Sequence, residues 1–144
     1  LVENVLANLE SVAEKCHVTL SLTGGAAYVT GVPALLSEML YNLCDNAIKY
    51  NVDGGSVRVD IAQSTAETVL TVSDTGIGIP YAHQSRVFER FYRVDKSHSR
   101  QSGGTGLGLS IVKHAVQYLG GRIELESQPG KGTTMRVHFP DGNA

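Results

Sequence analysis

The chain has no tryptophan, only four prolines and two cysteines, and no excess of basic residues. Its formal net charge of −2 argues against a nucleic-acid-binding domain, which usually carries a basic excess. No apolar run approaches the ~18 residues that a membrane-spanning helix needs, and no signal peptide is visible. Cys16 and Cys44 lie in apolar stretches without metal-ligand spacing, which predicts buried thiols in a reducing compartment.

Glycine, by contrast, is abundant and clustered, with 16 residues in a chain of 144. Two clusters, at 76–78 and 103–108, bracket a polar segment in which Arg90, Arg93, Lys96 and Arg100 face a single acid, Asp95. Glycine lets the backbone approach a ligand closely, and consecutive free amides suit phosphate oxygens. The pattern predicts a lid, at about 92–104, that closes over a polyanion. A solvated basic loop is the alternative.

The second glycine cluster matches neither of the common phosphate-binding motifs. Gly104, Gly106 and Gly108 alternate, so the spacing is not G-x-G-x-x-G, and no Gly-Lys-Ser/Thr follows as in a P-loop. The cluster instead precedes an apolar helical pattern at 107–119. The free amides and the dipole at the start of such a helix favour phosphate.

Hydrophobic periodicity divides the chain into helices and paired strands. Helices are predicted at 1–15, 33–50, 81–91 and 107–119, and strands at 17–22, 26–30, 56–62, 67–74, 123–125 and 135–139. Because the strands come in hairpins, a doubly wound parallel sheet is disfavoured. The prediction is one α+β domain over 1–144, a two-layer sandwich whose mixed, mostly antiparallel sheet is covered by helices on one face.

The second predicted helix carries a polar stripe beside its apolar one. Glu38, Asn42 and Asn46 recur every four residues, and Lys49 follows three positions later. Any solvated helix face could show this spacing, but asparagine is a poor helix former and an unusual choice for solubility. An asparagine oxygen does suit Mg²⁺ that also carries phosphate oxygens and waters. The stripe therefore predicts a metal–phosphate site.

Asp74 marks the point where a predicted strand runs into glycine. A carboxylate there could accept a hydrogen bond from an exocyclic amine such as the adenine amino group. The alternative is a simple Asp-Thr-Gly turn, in which aspartate is common for its local hydrogen bonds. The five histidines show neither metal-ligand nor nucleophile-activating spacing, which favours structural or surface positions for them.

Five short blocks of the chain resemble, in the same order, the motifs of the catalytic ATP-binding domain of sensor histidine kinases, of the alkaline-phosphatase-synthesis sensor-like type. That domain belongs to the Bergerat-fold (GHKL) superfamily, with Hsp90, gyrase B and MutL. The blocks span nearly the whole chain: the N box at 38–50, the first glycine box at 74–80, the F box at 87–93, the second glycine box at 103–109, and a final glycine-threonine turn at 130–133.

The resemblance implies how ATP and Mg²⁺ would be held. Asn42 would ligate Mg²⁺, with Asn46 and Lys49 near the phosphates. Asp74 would read the adenine amino group, and Tyr50 would pack near the adenine or ribose. The remaining implied nucleotide-binding positions are Gly76, Gly78 and Ile79 beside the purine, Gly104, Thr105, Gly106, Leu107 and Gly108 around the phosphate chain, and the hydroxyl residue Thr133.

Two further residues have implied catalytic roles. Arg93 and the lid would approach the γ-phosphate, and Glu38 occupies a position where the ATPases of the superfamily carry a water-activating glutamate. The chain also departs from the family pattern, because Val32 replaces the aspartate that often caps the second helix. None of the histidines lies in the family's phosphoacceptor context, so the substrate histidine is expected on a separate domain.

The resemblance implies phosphoryl transfer from Mg-ATP to a histidine in two-component signalling. The expected partners are the phosphoacceptor and dimerisation helix bundle of the same homodimeric kinase and a cognate response regulator, with no nucleic acid and no membrane contact by this domain. The chain begins with Leu1, which predicts a piece of a longer protein: a cytoplasmic domain of a membrane-anchored kinase. The alternatives are a GHKL-type ATPase clamp or a nucleotide-binding regulatory module without catalysis.

Overall fold

A computed structural model describes residues 1–25, 31–90, 92 and 108–140 of the chain. Within them lie three α-helices, five strands and one short 3₁₀ helix. The helices are α1 (Val2–Lys15), α2 (Pro33–Lys49) and α3 (Gly108–Tyr118), and the 3₁₀ helix is Tyr81–His83. The strands are β1 (Thr19–Gly24), β2 (Ser56–Gln63), β3 (Glu67–Asp74), β4 (Arg122–Gln128) and β5 (Gly132–Pro140).

The strands form one sheet in the order β1-β2-β3-β5-β4. β1 pairs with β2 in parallel, whereas β2–β3, β3–β5 and β5–β4 are antiparallel. The parallel pair follows from the chain path, because α2 lies between β1 and β2 and returns the chain to the end of the sheet where β1 began. The predicted mixed, mostly antiparallel sheet is confirmed. The strand predicted at 26–30 lies outside the described residues.

One face of the sheet is apolar, and all three helices pack against it. Strand side chains that alternate along β2, β3 and β5 are buried together with apolar residues of the helices in a single core. Its most deeply buried members include Leu9, Met39, Leu40, Val57, Val59, Val112, Val116 and Val137. The opposite face carries charged residues such as Arg58, Glu124 and Arg136. The predicted two-layer arrangement is therefore confirmed.

Three local predictions were wrong. Leu22, expected to point inward, is 38% exposed on β1, the edge strand of the sheet, which pairs with a neighbour on one side only. The segment predicted as a helix from 81 begins as a 3₁₀ helix and continues in turns, with hydrogen bonds that span three residues, from the Arg86 amide to the His83 carbonyl and from the Glu89 amide to the Arg86 carbonyl. This segment buries Val87 but no continuous apolar stripe, so little stabilises a full α-helix.

The third error concerns one of the two cysteines. Cys44 is buried as predicted, and burial, helped by the neighbouring charge of Asp45, raises the pKa of its thiol to about 12. Cys16 is only half-buried, because it lies just beyond the last residue of α1. No helix among the described residues is long and apolar enough to cross a membrane.

Candidate functional site beside Asp74

Asp74 is the last residue of β3 and lies opposite Thr133, the second residue of β5. Its Oδ1 atom accepts hydrogen bonds from the Gly76 amide at 2.8 Å and from the Thr133 amide at 3.2 Å. No described residue donates to Oδ2. Because no side-chain oxygen or nitrogen in the described part of the chain is both buried and unpartnered, Oδ2 is accessible. Asp74 therefore presents a free acceptor.

The environment of Asp74 raises the pKa of its carboxyl group from the usual 3.8 to about 6. Burial is the larger cause, because the charged form loses water. The hydrogen bonds from the Gly76 and Thr133 amides act in the opposite direction and lower the pKa, but they do not offset the burial. A partly buried carboxylate with a perturbed pKa in a cleft is typical of a binding site.

The first glycine cluster packs against the end of α2 and against the β4–β5 turn. A Cβ atom on Gly76 would lie 2.4 Å from the Tyr50 carbonyl oxygen and 2.9 Å from Asp74 Oδ1. Gly78 has a φ of +73°, and a Cβ atom there would lie 2.1 Å from the Gln128 carbonyl oxygen. Both glycines are thus required by the packing of the loop itself. Their predicted contact with a purine stays a prediction.

Two residues that the sequence analysis missed hold this loop in place. Ser127, a buried residue of β4, accepts a hydrogen bond from the Ile79 amide at 2.8 Å. The Gln84 side-chain amide donates to the carbonyl oxygens of Ile79 at 2.8 Å and of Ser127 at 3.1 Å. The loop after Asp74 is consequently fixed to β4 at both the amide and the carbonyl of Ile79.

The asparagine stripe of α2 presents its oxygen to the start of α3. The Asn42 side-chain Nδ2 donates to the Glu38 carbonyl oxygen at 2.8 Å, one turn back on the same helix. This bond fixes the amide and leaves Oδ1 on the side of Gly108, where a glycine Cβ would lie 3.3 Å from it. Asn46 is half-buried one turn further along. Gly108, the described residue of the second glycine cluster, thus lies beside Asn42 of the N box.

The charged residues of α2 divide into a paired group and an exposed one. Lys49 Nζ lies 3.3 Å from Asp45 Oδ2, an acid that the sequence analysis did not single out. Both side chains are partly buried, so this pair positions the ammonium group near the end of α2. Glu38 is exposed one turn before Asn42. Tyr50 is half-buried, and its carbonyl oxygen accepts the Ile77 amide at 3.0 Å.

α2 thus connects the two ends of the candidate site. Its residue Asn42 lies against the start of α3, and Tyr50, eight positions later, lies against Gly76 beside Asp74. At 1.5 Å per residue these two positions are about 12 Å apart along the helix. A pocket of about 450 Å³ opens beside Asp74, and it is lined by Tyr81, Gln84, Leu125, Glu126, Ser127, Gln128, Lys131, Gly132, Thr133 and Thr134.

Some predicted site residues fall outside the part of the chain that the structure describes. They are Arg93, Gly104, Thr105, Gly106 and Leu107, together with all of the predicted lid at 92–104 except Tyr92. The described site residues, Glu38, Asn42, Asn46, Lys49, Tyr50, Asp74, Gly76, Gly78, Ile79, Gly108 and Thr133, lie along α2, in the loop after β3 and at the starts of α3 and β5.

Residues 31–143 match the family described as histidine kinase-, DNA gyrase B- and HSP90-like ATPases. The chain belongs to this family. The match includes α2, the two glycine clusters and the β4–β5 hairpin, so the predicted resemblance is confirmed by an independent comparison. This ATPase domain accordingly has an ATP-binding fold, and Asp74, Asn42 and Gly108 lie within the matched region.

Similar proteins are sensor kinases. The domain is 39% identical over 98% of its length to the sensor-like histidine kinase SenX3 of Mycolicibacterium smegmatis, and 45% identical over 79% of its length to the phosphate regulon sensor protein PhoR of Pseudomonas aeruginosa. It spans 37% and 26% of those two relatives. Among solved structures, the mycobacterial sensor histidine kinase MprB superposes with a TM-score of 0.83 at 30% identity, covering 96% of this chain and 91% of that one.

Proposed function

We propose that this domain binds Mg-ATP and transfers the γ-phosphoryl group to a histidine on a separate helix bundle. The observation that supports this most directly is the placement of two oxygen acceptors near opposite ends of α2: the Asp74 carboxylate, which is separated from Tyr50 by Gly76, and Asn42 Oδ1 beside Gly108. The first suits the amino group of adenine, and the second suits a metal that also binds phosphate. Family membership and the sensor-kinase relatives agree with this proposal.

The donor set around Asn42 fits Mg²⁺ held mainly by the nucleotide. Among the described residues, no group of three or more His, Cys, Asp or Glu side chains could hold a metal by itself. A single neutral oxygen from Asn42 is consistent with a metal that keeps waters and phosphate oxygens as its other ligands. Bound there, Mg²⁺ would neutralise charge on the phosphates. Lys49, whose partly buried ammonium group lies 3.3 Å from Asp45 Oδ2, would add a second positive charge to the site.

The remaining steps of the proposal concern positioning. Phosphoryl transfer needs orientation and charge stabilisation more than covalent chemistry from the protein. The bonds from Ser127 and Gln84 hold the loop after Asp74 in a fixed position. α2 would hold the purine end at a fixed distance from the phosphate end. Arg93 and the predicted lid would act at the γ-phosphate. The acceptor histidine would lie on the dimerisation bundle of the same kinase, from which a response regulator would receive the phosphoryl group.

Titration of the domain with a non-hydrolysable ATP analogue, with and without Mg²⁺, tests binding first. We expect Mg²⁺ to tighten binding, Asn42→Ala to remove that Mg²⁺ dependence, and Asn8→Ala, a change on the exposed surface of α1, to preserve it. Mixing the domain with a phosphoacceptor bundle and labelled ATP should then give acid-labile, base-stable phosphate on the bundle. Absence of saturable nucleotide binding would refute the proposal at its first step.

Glu38 gives a specific reason to keep ATP hydrolysis as a second candidate function. It is exposed one turn before Asn42, on the helix that would carry the metal, so a water near the γ-phosphate could be activated by its carboxylate. Steady hydrolysis without any histidine acceptor, abolished in Glu38→Gln, would favour an ATPase of the clamp type. Nucleotide binding without either activity would favour a regulatory module.

We further propose that the domain acts on the cytoplasmic side of a membrane-anchored homodimeric kinase. The support is the nature of the relatives, which are sensor kinases several times longer than the matched region. Fractionation of cells that express the full-length gene product, followed by cross-linking, tests this. A soluble monomer would contradict it.

A further inference from the structure

Ser127 is a buried polar residue, 8% exposed, on the helix-covered face of β4. Its hydroxyl oxygen is 2.8 Å from the Ile79 amide nitrogen, 2.9 Å from the Gly132 carbonyl oxygen and 2.9 Å from Thr133 Oγ1. Ser127 therefore has three hydrogen-bond partners: a backbone amide, a backbone carbonyl and a side-chain hydroxyl. The chemistry of these partners determines where every hydrogen goes.

An amide N–H can only donate, and a carbonyl oxygen can only accept. The Ile79 amide therefore donates to Ser127 Oγ, and the single hydroxyl hydrogen of Ser127 is donated to the Gly132 carbonyl oxygen. With that hydrogen already used, the contact between Ser127 and Thr133 is a hydrogen bond only if Thr133 is its donor. All three contacts are satisfied by this one arrangement.

Thr133 is thereby left with acceptor capacity alone. Its hydroxyl hydrogen points to Ser127, and its amide hydrogen is donated to Asp74 Oδ1 at 3.2 Å. Thr133 and Asp74 are directly opposite each other on β5 and β3, and both line the same pocket. The free positions at this point of the pocket are lone pairs of Thr133 Oγ1 and of Asp74 Oδ2. Both of these residues present acceptors to a ligand.

We propose that Ser127 is a specificity-determining positioning residue, which holds the Thr133 hydroxyl as an acceptor so that the pocket selects a 6-amino purine over a 6-oxo purine. Adenine carries an amino donor at this position, whereas guanine carries an oxygen acceptor. If the Thr133 hydroxyl were free to rotate, it could donate a hydrogen bond to the 6-oxo oxygen of guanine. When its hydrogen is donated to Ser127, a lone pair of Thr133 Oγ1 faces that oxygen instead, and the two acceptors repel each other. This inference rests on the proposed function, because it concerns the base end of the same nucleotide site.

Gln84 supports the arrangement from the opposite side. Its side-chain Nε2 donates to the Ser127 carbonyl oxygen and to the Ile79 carbonyl oxygen, so it fixes the backbone on both sides of the Ile79–Ser127 hydrogen bond. Leaving a buried polar group without its partner is costly in general. Rotating the Ser127 hydroxyl would break its buried hydrogen bonds. We therefore expect it to keep the same orientation whichever nucleotide is bound.

The test is the ratio of affinities for ATP and GTP, measured with non-hydrolysable analogues and Mg²⁺ on the whole domain. In Ser127→Ala the Thr133 hydroxyl loses its acceptor and is free to donate into the pocket. We expect the preference for ATP to fall about tenfold, the value of one hydrogen bond of this kind. In a Thr133→Val background, the same Ser127 change should leave the ratio unaltered, since no hydroxyl remains to be reoriented.

Ser73→Ala is the matched control. Ser73 lies one position before Asp74 on the opposite face of β3, where its hydroxyl accepts a hydrogen bond from Thr134 Oγ1 at 3.3 Å. Ser73 does not line the pocket, and its change leaves Ser127, Thr133 and Asp74 with their hydrogen bonds, so the ratio should stay at the wild-type value. If Ser127→Ala fails to fold, Ser127→Cys fills the site with a slightly larger side chain that is only a weak acceptor. We expect the same direction of change from it.

The outcomes separate this inference from the function on which it rests. Wild-type domain that binds neither nucleotide would refute both. Wild-type domain that binds ATP and GTP equally well, or a folded Ser127→Ala variant with the wild-type ratio, would overturn the role of Ser127 while leaving ATP binding intact. An equal change in the ratio with and without the Thr133 hydroxyl would also overturn it, because the effect would then not pass through Thr133.

Discussion

Replacing Asp74 by asparagine should stabilise the folded domain at neutral pH and, at the same time, abolish its affinity for adenine nucleotides. Burial raises the pKa of Asp74 to about 6 from the usual 3.8. At about 1.4 kcal/mol per pKa unit, ionising this carboxyl group destabilises the folded state by at most about 3 kcal/mol. Solvent access to Oδ2 screens part of the charge, so we expect a gain of about 1–2 kcal/mol for Asp74→Asn at pH 7.

The sign of the pH dependence follows from the raised pKa. Below about pH 4 the carboxyl group is protonated in both the folded and the unfolded state, and it contributes no pH dependence. Between about pH 4 and 6 the folded state binds more protons, so the free energy of unfolding falls as the pH rises. Above about pH 6 the carboxyl group is ionised in both states, and the free energy of unfolding has fallen by its full amount. Most buried carboxylates with salt-bridge partners show the opposite trend.

Urea unfolding at several pH values between 4 and 8 measures this effect as a difference between wild type and Asp74→Asn. All other ionisable groups are common to both proteins, so their contributions cancel in the difference. Asp60→Asn removes the same charge from the outer face of the sheet, where Asp60 Oδ1 accepts a hydrogen bond from Thr23. The control should not reproduce the pH-dependent gain. If wild type and Asp74→Asn keep the same difference throughout, burial of this charge is not destabilising.

Loss of nucleotide affinity in the same variant has a geometric cause. Asp74 Oδ1 accepts the Gly76 and Thr133 amides, so an asparagine would keep its carbonyl oxygen there and place its NH₂ group where Oδ2 now lies. A donor would then face the amino donor of adenine. Isothermal titration at pH 7.5 should detect no binding of an ATP analogue to a cooperatively folded variant. Unchanged affinity would mean that Asp74 does not read the base.

Two further predictions concern stability. Val32, the residue before α2, makes no side-chain capping bond, so Val32→Asp should raise the free energy of unfolding by about 1 kcal/mol. Val52 is exposed and does not precede a helix, so the control Val52→Asp should change this free energy little. Gly78→Ala should destabilise by at least about 2 kcal/mol, because its Cβ would clash with backbone. Gly54→Ala has a similar φ but open space, and should cost about 1 kcal/mol. The backbone-clash explanation would be contradicted if Gly78→Ala and Gly54→Ala lowered the free energy of unfolding equally. The capping explanation would be contradicted if Val32→Asp and Val52→Asp changed it equally.

Candidate site residues could be recognised in the sequence where they form a local pattern, such as a helical repeat or a glycine cluster. Asn42 and Gly108 are far apart in sequence, but the four-residue repeat on one helix and the glycines before another singled out two residues that lie side by side in the structure. The Asp-Thr-Gly run similarly predicted an acceptor at the end of β3. These signals survive in the sequence because helix periodicity and glycine conformation are properties of a few neighbouring residues.

Ser127 and Gln84 could not be found in this way. Ser127 occupies an inward position of a strand that otherwise alternates apolar and charged residues, and a lone serine there carries no signal until the register of β4 with β5 is known. Gln84 acts through two backbone carbonyls, which every residue has. The parallel pairing of β1 with β2 was missed for a related reason, since strand neighbours are determined by the path of the whole chain and not by the alternation of one strand.

The arrangement of hydrogen-bond donors around Asp74 explains why its carboxylate destabilises the folded domain when no ligand is bound. The amide hydrogens of Gly76 and Thr133 go to Oδ1. In the arrangement inferred above, the hydroxyl hydrogen of Thr133 goes to Ser127. The protein thus directs its own donors away from the pocket and leaves a partly desolvated carboxylate without a full complement of donors. An adenine amino group would supply the missing donor, so nucleotide binding should lower the pKa of Asp74 and recover stability that the empty domain gives up.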